Sequence, residues 1–175
     1  MTYLVEELEK AGKLEKTVIV LSADHYPYGL ETSELEKFSG KKLKDSLELY
    51  KNSLIFWNSE MENITIEKTC CSADIYPTIL NLFGFSYDSR LFAGTDMLSE
   101  SPSLVIFKDR SFITDKMIYN KATETVESRT EEDVSEEYVI MMKAYVKGLV
   151  DYSAGILNYN FHKYVNQCVE ANMVQ

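Results

Sequence analysis

The segment that most constrains the fold is Thr17-Val18-Ile19-Val20-Leu21-Ser22, which runs almost directly into Asp24-His25. It is short, apolar and rich in β-branched residues. Such a run predicts a strand buried on both faces, as in a parallel sheet covered by helices. Upstream, Leu4, Val5, Leu8 and Ala11 form one apolar face of a helix expected over residues 3–11, with Gly12 as its stop. The order is therefore helix, tight connection, buried strand, acid–imidazole pair. In open α/β sheets, ligands gather at the carboxyl ends of strands. A carboxylate beside an imidazole there offers one hard oxygen and one borderline nitrogen, a set that suits a divalent metal. The plainer reading is an Asp capping the following turn and a surface His held by a hydrogen bond.

The remaining composition bounds the function. With 175 residues, 45% of them hydrophobic, and 12 Tyr and 8 Phe, the chain can bury a real core and is not a disordered tail. Its net charge of −10 and the lack of a dense basic patch exclude a duplex nucleic-acid binder. Much of the acidity lies in residues 124–137 and reads as a solvated surface. Cys70, Cys71 and Cys168 are an odd set without CxxC spacing, so they predict buried or semi-exposed thiols rather than disulfides or a zinc site. No signal peptide or transmembrane run is present in these residues.

Pro27, Gly29 and the polar residues to Ser33 read as a surface connection. A short helix is expected over 34–39, with Leu35 and Phe38 inward and Gly40 at its end. The Lys41-Lys42-Leu43-Lys44 cluster reads as a solvated face, 46–51 as a helical turn and 53–57 as a second strand. Residues 72–84 have the physics of a capped helix. Ser72 or Asp74 can accept from first-turn amides, Pro77 is tolerated there, and Gly84 supplies the stop. Ile75, Ile79, Leu82 and Phe83 give its apolar stripe. Asp74 could be a catalytic carboxylate; a structural cap is its plainer role.

Further along, residues 104–107 and 111–119 predict a hairpin around Asp109-Arg110, with Arg110 solvated. Residues 124–133 read as an acidic loop. A helix is expected from about Ser135, its core stripe formed by Tyr138, Met141 or Met142, Tyr145, Leu149 and Tyr152. His162 has no ligand partner at useful spacing, and the tail to Gln175 is expected to fray.

Taken together, a strand ending in Asp24-His25-Tyr26, a strand ending in Trp57 and the helix S-x-D-x-x-P-T-I-L-x-L-x-G resemble one known family in residue type and order. This is the sulfatase branch of the alkaline phosphatase superfamily, and within it the lipoteichoic acid synthases and related phosphoglycerol transferases. Phe92-Ala93-Gly94-Thr95-Asp96-Met97-Leu98 is similar to that group's F-G-T-D-L segment with one residue inserted, and Ser111-Phe112-Ile113-Thr114 to one of its strands. The likeness covers roughly residues 2–119 and continues weakly to Tyr164.

The resemblance implies an α/β fold: the C-terminal portion of an alkaline-phosphatase-like sandwich, with a small antiparallel β-hairpin and a C-terminal helix. Residues 1–100 would be core and 101–175 a hairpin-plus-helix subdomain of a single partial domain. It implies a metal site in which Asp24 and His25 are ligands, His25 as neutral imidazole, with Tyr26 at the substrate pocket edge. The ion would be Mn2+, with Mg2+, Ca2+ or Zn2+ as alternatives. The implied reaction transfers glycerophosphate from a phosphatidylglycerol-type lipid to a glycan or polyglycerolphosphate acceptor, through a covalent intermediate on a Thr. In the family that Thr, a Glu ligand and further substrate contacts lie far upstream of Asp-His. Here only residues 1–23 precede Asp24, and neither Thr2 nor Thr17 suits a nucleophile. The chain is therefore expected to be a fragment, catalytically incomplete alone, whose sheet and site a missing N-terminal part would complete. Its parent would be membrane-anchored with the catalytic domain outside the cytoplasm. Two alternatives stand beside this: a sulfatase fragment acting on sulfate esters, and a non-catalytic module that retains the fold.

Overall fold

A computed structural model describes residues 1–43 and 47–173. Lys44 of the lysine cluster, Ser46 of the expected turn and the last two residues lie outside them. The chain divides into two compact units, 1–65 and 66–175.

The first unit opens with α1 (Thr2–Lys10), which closes through Gly12 at φ 65°. Strand β1 (Ile19–Leu21) follows. Helix α2 (Thr32–Ser39) begins at a capping box, the Glu31 amide donating to the Glu34 carboxylate at 2.8 Å, and ends at Gly40 with φ 68°. A single 3-10 turn, Glu48–Tyr50, precedes β2 (Ile55–Trp57).

Two expectations are corrected here. β1 is not in a parallel sheet covered on both faces. It pairs antiparallel with β2, in the register Ile19↔Trp57, Val20↔Phe56 and Leu21↔Ile55. The chain turns back through α2, and the Asn58 amide fastens the end of β2 to the entry of β1 by donating to the carbonyls of Glu15 and Thr17 at 3.0 and 2.9 Å. Leu21 and Ile55 stay 41% and 50% exposed. Phe38 does not point inward either: α2 seats Leu35, while Phe38 is 80% exposed.

The second unit begins with a 3-10 turn, Ser72–Asp74, that leads into α3 (Ile75–Leu82), and Gly84 follows at φ 67°. Strands β3 (Leu104–Ile106), β4 (Phe112–Thr114), β5 (Met117–Asn120) and β6 (Thr125–Ser128) form an antiparallel meander in chain order. The expected hairpin around Asp109-Arg110 is present as β3–β4; its second strand breaks into β4 and β5, and part of the expected acidic loop is β6. The turn that splits β4 from β5 carries no Gly or Pro. Thr114 Oγ1 builds it instead, accepting from the amides of Lys116 and Met117 at 3.2 and 3.1 Å.

Helix α4 (Glu136–Asn158) starts where expected, with Ser135 as N-cap accepting from the Tyr138 amide at 3.2 Å, and α5 (Phe161–Met173) follows. The core lies between the meander and α4: Phe112, Met117, Tyr119, Met142 and Val146, flanked by Leu104, Ile106, Val134, Tyr138 and Val139. The expected stripe is rotated. Met142 and Val146 are buried, whereas Met141, Tyr145 and Tyr152 are more than half exposed. Arg110, at φ 71° in the β3–β4 turn, is not merely solvated: it reaches Asp151 on α4 at 3.3 Å.

Candidate functional site

The Asp24–His25 pair sits just beyond β1, before the turn around Pro27 and Gly29. His25 Nδ1 lies 2.7 Å from the Tyr26 carbonyl oxygen. A carbonyl only accepts, so Nδ1 carries the proton, and in the neutral ring Nε2 keeps its lone pair. That Nε2 lies 3.6 Å from Asp24 Oδ1, too far for a direct hydrogen bond. The Asp24 carboxylate is 89% exposed and the His25 ring 46%. Both groups therefore face water with coordinating electrons available.

Aromatic rings hold the imidazole in place. Tyr28 stacks on His25 at 4.3 Å and 10° between planes. Tyr26 meets Tyr28 edge-on at 4.7 Å and Tyr50 edge-on at 5.4 Å. Sequence reasoning named Tyr26 but missed Tyr28 and Tyr50; the repeated Tyr in Tyr26-Pro27-Tyr28 was the available signal for the first. Stacked and T-shaped contacts of this kind restrict ring rotation. Among the described residues, no cluster of three or more His, Cys, Asp or Glu side chains forms a metal-binding group. Asp24 and His25 are thus two donors of a kind that suits a divalent ion, with no third carboxylate, imidazole or thiol grouped with them among the described residues.

The second motif builds structure. Asp74 is 7% exposed, its Oδ2 accepting from the Cys71 amide at 2.8 Å and its Oδ1 from the Thr95 amide at 2.7 Å. Thr78, fully buried, donates to the Asp74 carbonyl at 2.6 Å and accepts from the Met97 amide at 3.0 Å. Gly94 closes the joint: a Cβ there would sit 2.2 Å from the Ala73 carbonyl oxygen. The S-x-D-x-x-P-T helix and the Gly94-Thr95-Asp96 loop are therefore one interlocked unit, and Asp74 is its anchor. Burial of α3 runs through Pro77 and Thr78, not the expected apolar stripe, for Leu82 and Phe83 are 41% and 51% exposed. Beside Asp74, burial pushes the Cys71 thiol up to about 11, with the carboxylate's charge adding to the effect. Cys70 is half-buried, but Cys168 is exposed, contrary to expectation. His162 is exposed on α5.

Residues 2–85, which contain Asp24-His25 and all of α3, match the Sulfatase family model. The chain is 32% identical to lipoteichoic acid synthase of Staphylococcus saprophyticus over 114 residues, 63% of this chain and 18% of that protein. It is 29% identical over 117 residues to lipoteichoic acid synthase 2 of Bacillus subtilis, 63% of this chain and 18% of that protein. With lipoteichoic acid synthase of Staphylococcus aureus the identity is 28% over 134 residues, 70% of this chain and 21% of that protein. The architecture is thus an alkaline-phosphatase-like α/β segment with antiparallel sheets and C-terminal helices. The chain is similar to the sulfatase branch of that superfamily, on its lipoteichoic-acid-synthase-like side. It spans about a fifth of the length of these curated relatives.

Proposed function

We propose that this chain is part of a metal-dependent phosphoglycerol transferase, in which Asp24 and His25 hold a divalent ion, Mn2+ first among Mg2+, Ca2+ and Zn2+. The observation that carries the reading is the fixed tautomer of His25. With Nδ1 tied to the Tyr26 carbonyl, the Nε2 lone pair is presented beside the Asp24 carboxylate just after β1. Metal-bound histidines characteristically have their second nitrogen occupied in this way. A bound ion would supply Lewis-acid chemistry, lowering the pKa of a nucleophilic hydroxyl and offsetting charge on a phosphoryl group. Within this chain, Asp24 contributes the charge, His25 a directed nitrogen, and Tyr28 and Tyr50 hold the ring and its neighbour Tyr26 in place. Tyr26 would stand at the edge of the substrate pocket.

The full reading is transfer of glycerophosphate from a phosphatidylglycerol-type lipid to a glycan or polyglycerolphosphate acceptor. The Thr nucleophile and the other ligands would come from sequence beyond these residues, in a parent anchored to the membrane with its catalytic domain outside the cytoplasm. Two ligands make the chain alone catalytically incomplete. No helix among the described residues is long and apolar enough to cross a membrane. The Sulfatase family match favours one second reading, a sulfatase acting on sulfate esters.

Mn2+ titration of the isolated chain, followed by paramagnetic broadening in NMR, tests the site. We expect weak binding, with a dissociation constant on the order of 1 mM. Broadening should centre on Asp24 and His25 and vanish in Asp24→Ala/His25→Ala. Broadening centred elsewhere would remove the ligand assignment. Micromolar binding would show that a nearly complete site lies within these residues and overturn the claim of incompleteness.

A further inference from the structure

The second unit holds a cavity of about 400 Å3 that the metal reading does not use. The loop 87–101, the side of α3 and one face of α4 border it, and it opens to solvent. Tyr87 and Phe92 form its aromatic wall, meeting edge-on at 5.2 Å, with Tyr145 on the α4 side. Asn81, Asp96 and Ser101 supply the polar side. This size and this mixture of rings with a few placed polar groups are those of small-molecule sites.

The charge chemistry selects the ligand class. Among the described residues no Lys, Arg or His lines the cavity, and its one carboxylate is Asp96. Phosphate and carboxylate sites are built from cations or bidentate guanidinium groups, so an anion would meet repulsion and no partner. Lys68 donates to the Ser99 carbonyl at 2.7 Å and is not part of the lining. Asp96 is held in place: its Oδ2 accepts from Asn81 Nδ2 at 2.8 Å and its Oδ1 from the Leu98 amide at 2.9 Å. Each carboxylate oxygen keeps a second lone pair, and Asn81 keeps a carbonyl oxygen and an N–H. A fixed Asp–Asn pair is thus an array of acceptors with a donor, suited to vicinal hydroxyls. An aromatic wall offers an apolar face with little conformational entropy to lose, suited to the C–H face of a ring.

We propose that this cavity binds a neutral polyhydroxylated ligand, a sugar ring or short glycan, with Asp96 and Asn81 on its hydroxyls and Tyr87 and Phe92 against its face. The site lies wholly within residues 66–175 and does not depend on the metal reading.

The test is an NMR titration of the isotope-labelled 175-residue chain with cellobiose, glycerol and glycerol phosphate as separate probes. Cellobiose should shift amides of 81, 87–101 and 145–149, with a dissociation constant on the order of 1 mM. Glycerol should bind about ten-fold more weakly and glycerol phosphate not at all. Phe92→Ala should weaken cellobiose binding about ten-fold. Because that variant could also loosen the loop, Ala93→Leu is the companion: Ala93 is exposed, and a larger side chain fills the cavity without removing any packed group. Its spectrum should stay dispersed and its response to cellobiose disappear. Shifts outside the cavity, none with cellobiose, an unchanged response in Ala93→Leu, or glycerol phosphate binding as well as the disaccharide would each overturn the proposal.

Discussion

Gly94 has no room for a methyl group, and the reason lies on another element. Its missing Cβ would stand 2.2 Å from the Ala73 oxygen and 2.7 Å from the Asp74 amide nitrogen, both backbone atoms that cannot swing aside. Gly94→Ala should therefore separate α3 from its loop and cost about 3 kcal/mol, at the upper end of overpacking. Thr78 tests the same joint through hydrogen bonding. Thr78→Val keeps the shape but strands the buried Met97 amide, for a loss of about 2 kcal/mol. Thr78→Ser keeps the hydroxyl and should lose only about 1 kcal/mol. Urea midpoints of the three variants check the order. If Val and Ser cost the same, the hydroxyl is not what binds α3 to Met97. The Asp24–His25 pair behaves differently: Asp24 is so exposed that its replacement should leave these midpoints unchanged.

At the scale of elements, local signals were legible and facing was not. The stops of α1 and α2 and the start of α4 follow from Gly12, Gly40 and Ser135, all short-range chemistry written in neighbouring residues, whereas the Glu31–Glu34 box that starts α2 two residues early was not read. The Asp24–His25 pair was nominated in the same way, from residue type and its position just after β1. Which stripe of α4 is buried was not legible, because apolar residues occupy both sides of the helix. Met141, Tyr145 and Tyr152 compete with Tyr138, Met142 and Val146, and the meander decides by presenting Phe112, Met117 and Tyr119 to the second set. The parallel setting of β1 failed similarly: a run of β-branched residues specifies a strand, not its partner. β6 was missed because all four of its residues are exposed, so no alternation marks it. A pair of truncations measures the facing of α4. Val146→Ala should cost about 2 kcal/mol, and Tyr152→Ala, at 64% exposure, less than about 0.5 kcal/mol. Equal losses by thermal melting would mean that a second surface covers the tyrosine side in solution.

On the scale of the whole molecule, burial is unevenly shared between the two units. The five-residue core and its flanking side chains all belong to residues 66–175. Among the described residues of 1–65, Leu47 alone is a fully buried hydrophobic, and β1 has β2 as its single strand partner. A three-residue antiparallel pair with Leu21 and Ile55 half in water is marginal by itself. The unit that carries Asp24 and His25 should therefore open far more readily than the unit that carries the meander. Amide hydrogen exchange measures this directly, since opening free energies follow local burial. Amides of Met117 and Tyr119 in β5 should exchange only with global unfolding, whereas those of Ile19 and Val20 in β1 exchange through local opening. A protein segment that pairs with β1 would close this gap, because it would cover both the strand edge and its apolar side chains. If β1 in the isolated chain is already as protected as β5, the first unit holds a stability that its visible packing does not account for. The uneven partition of the core would then be wrong as a guide to how Asp24 and His25 are kept in place.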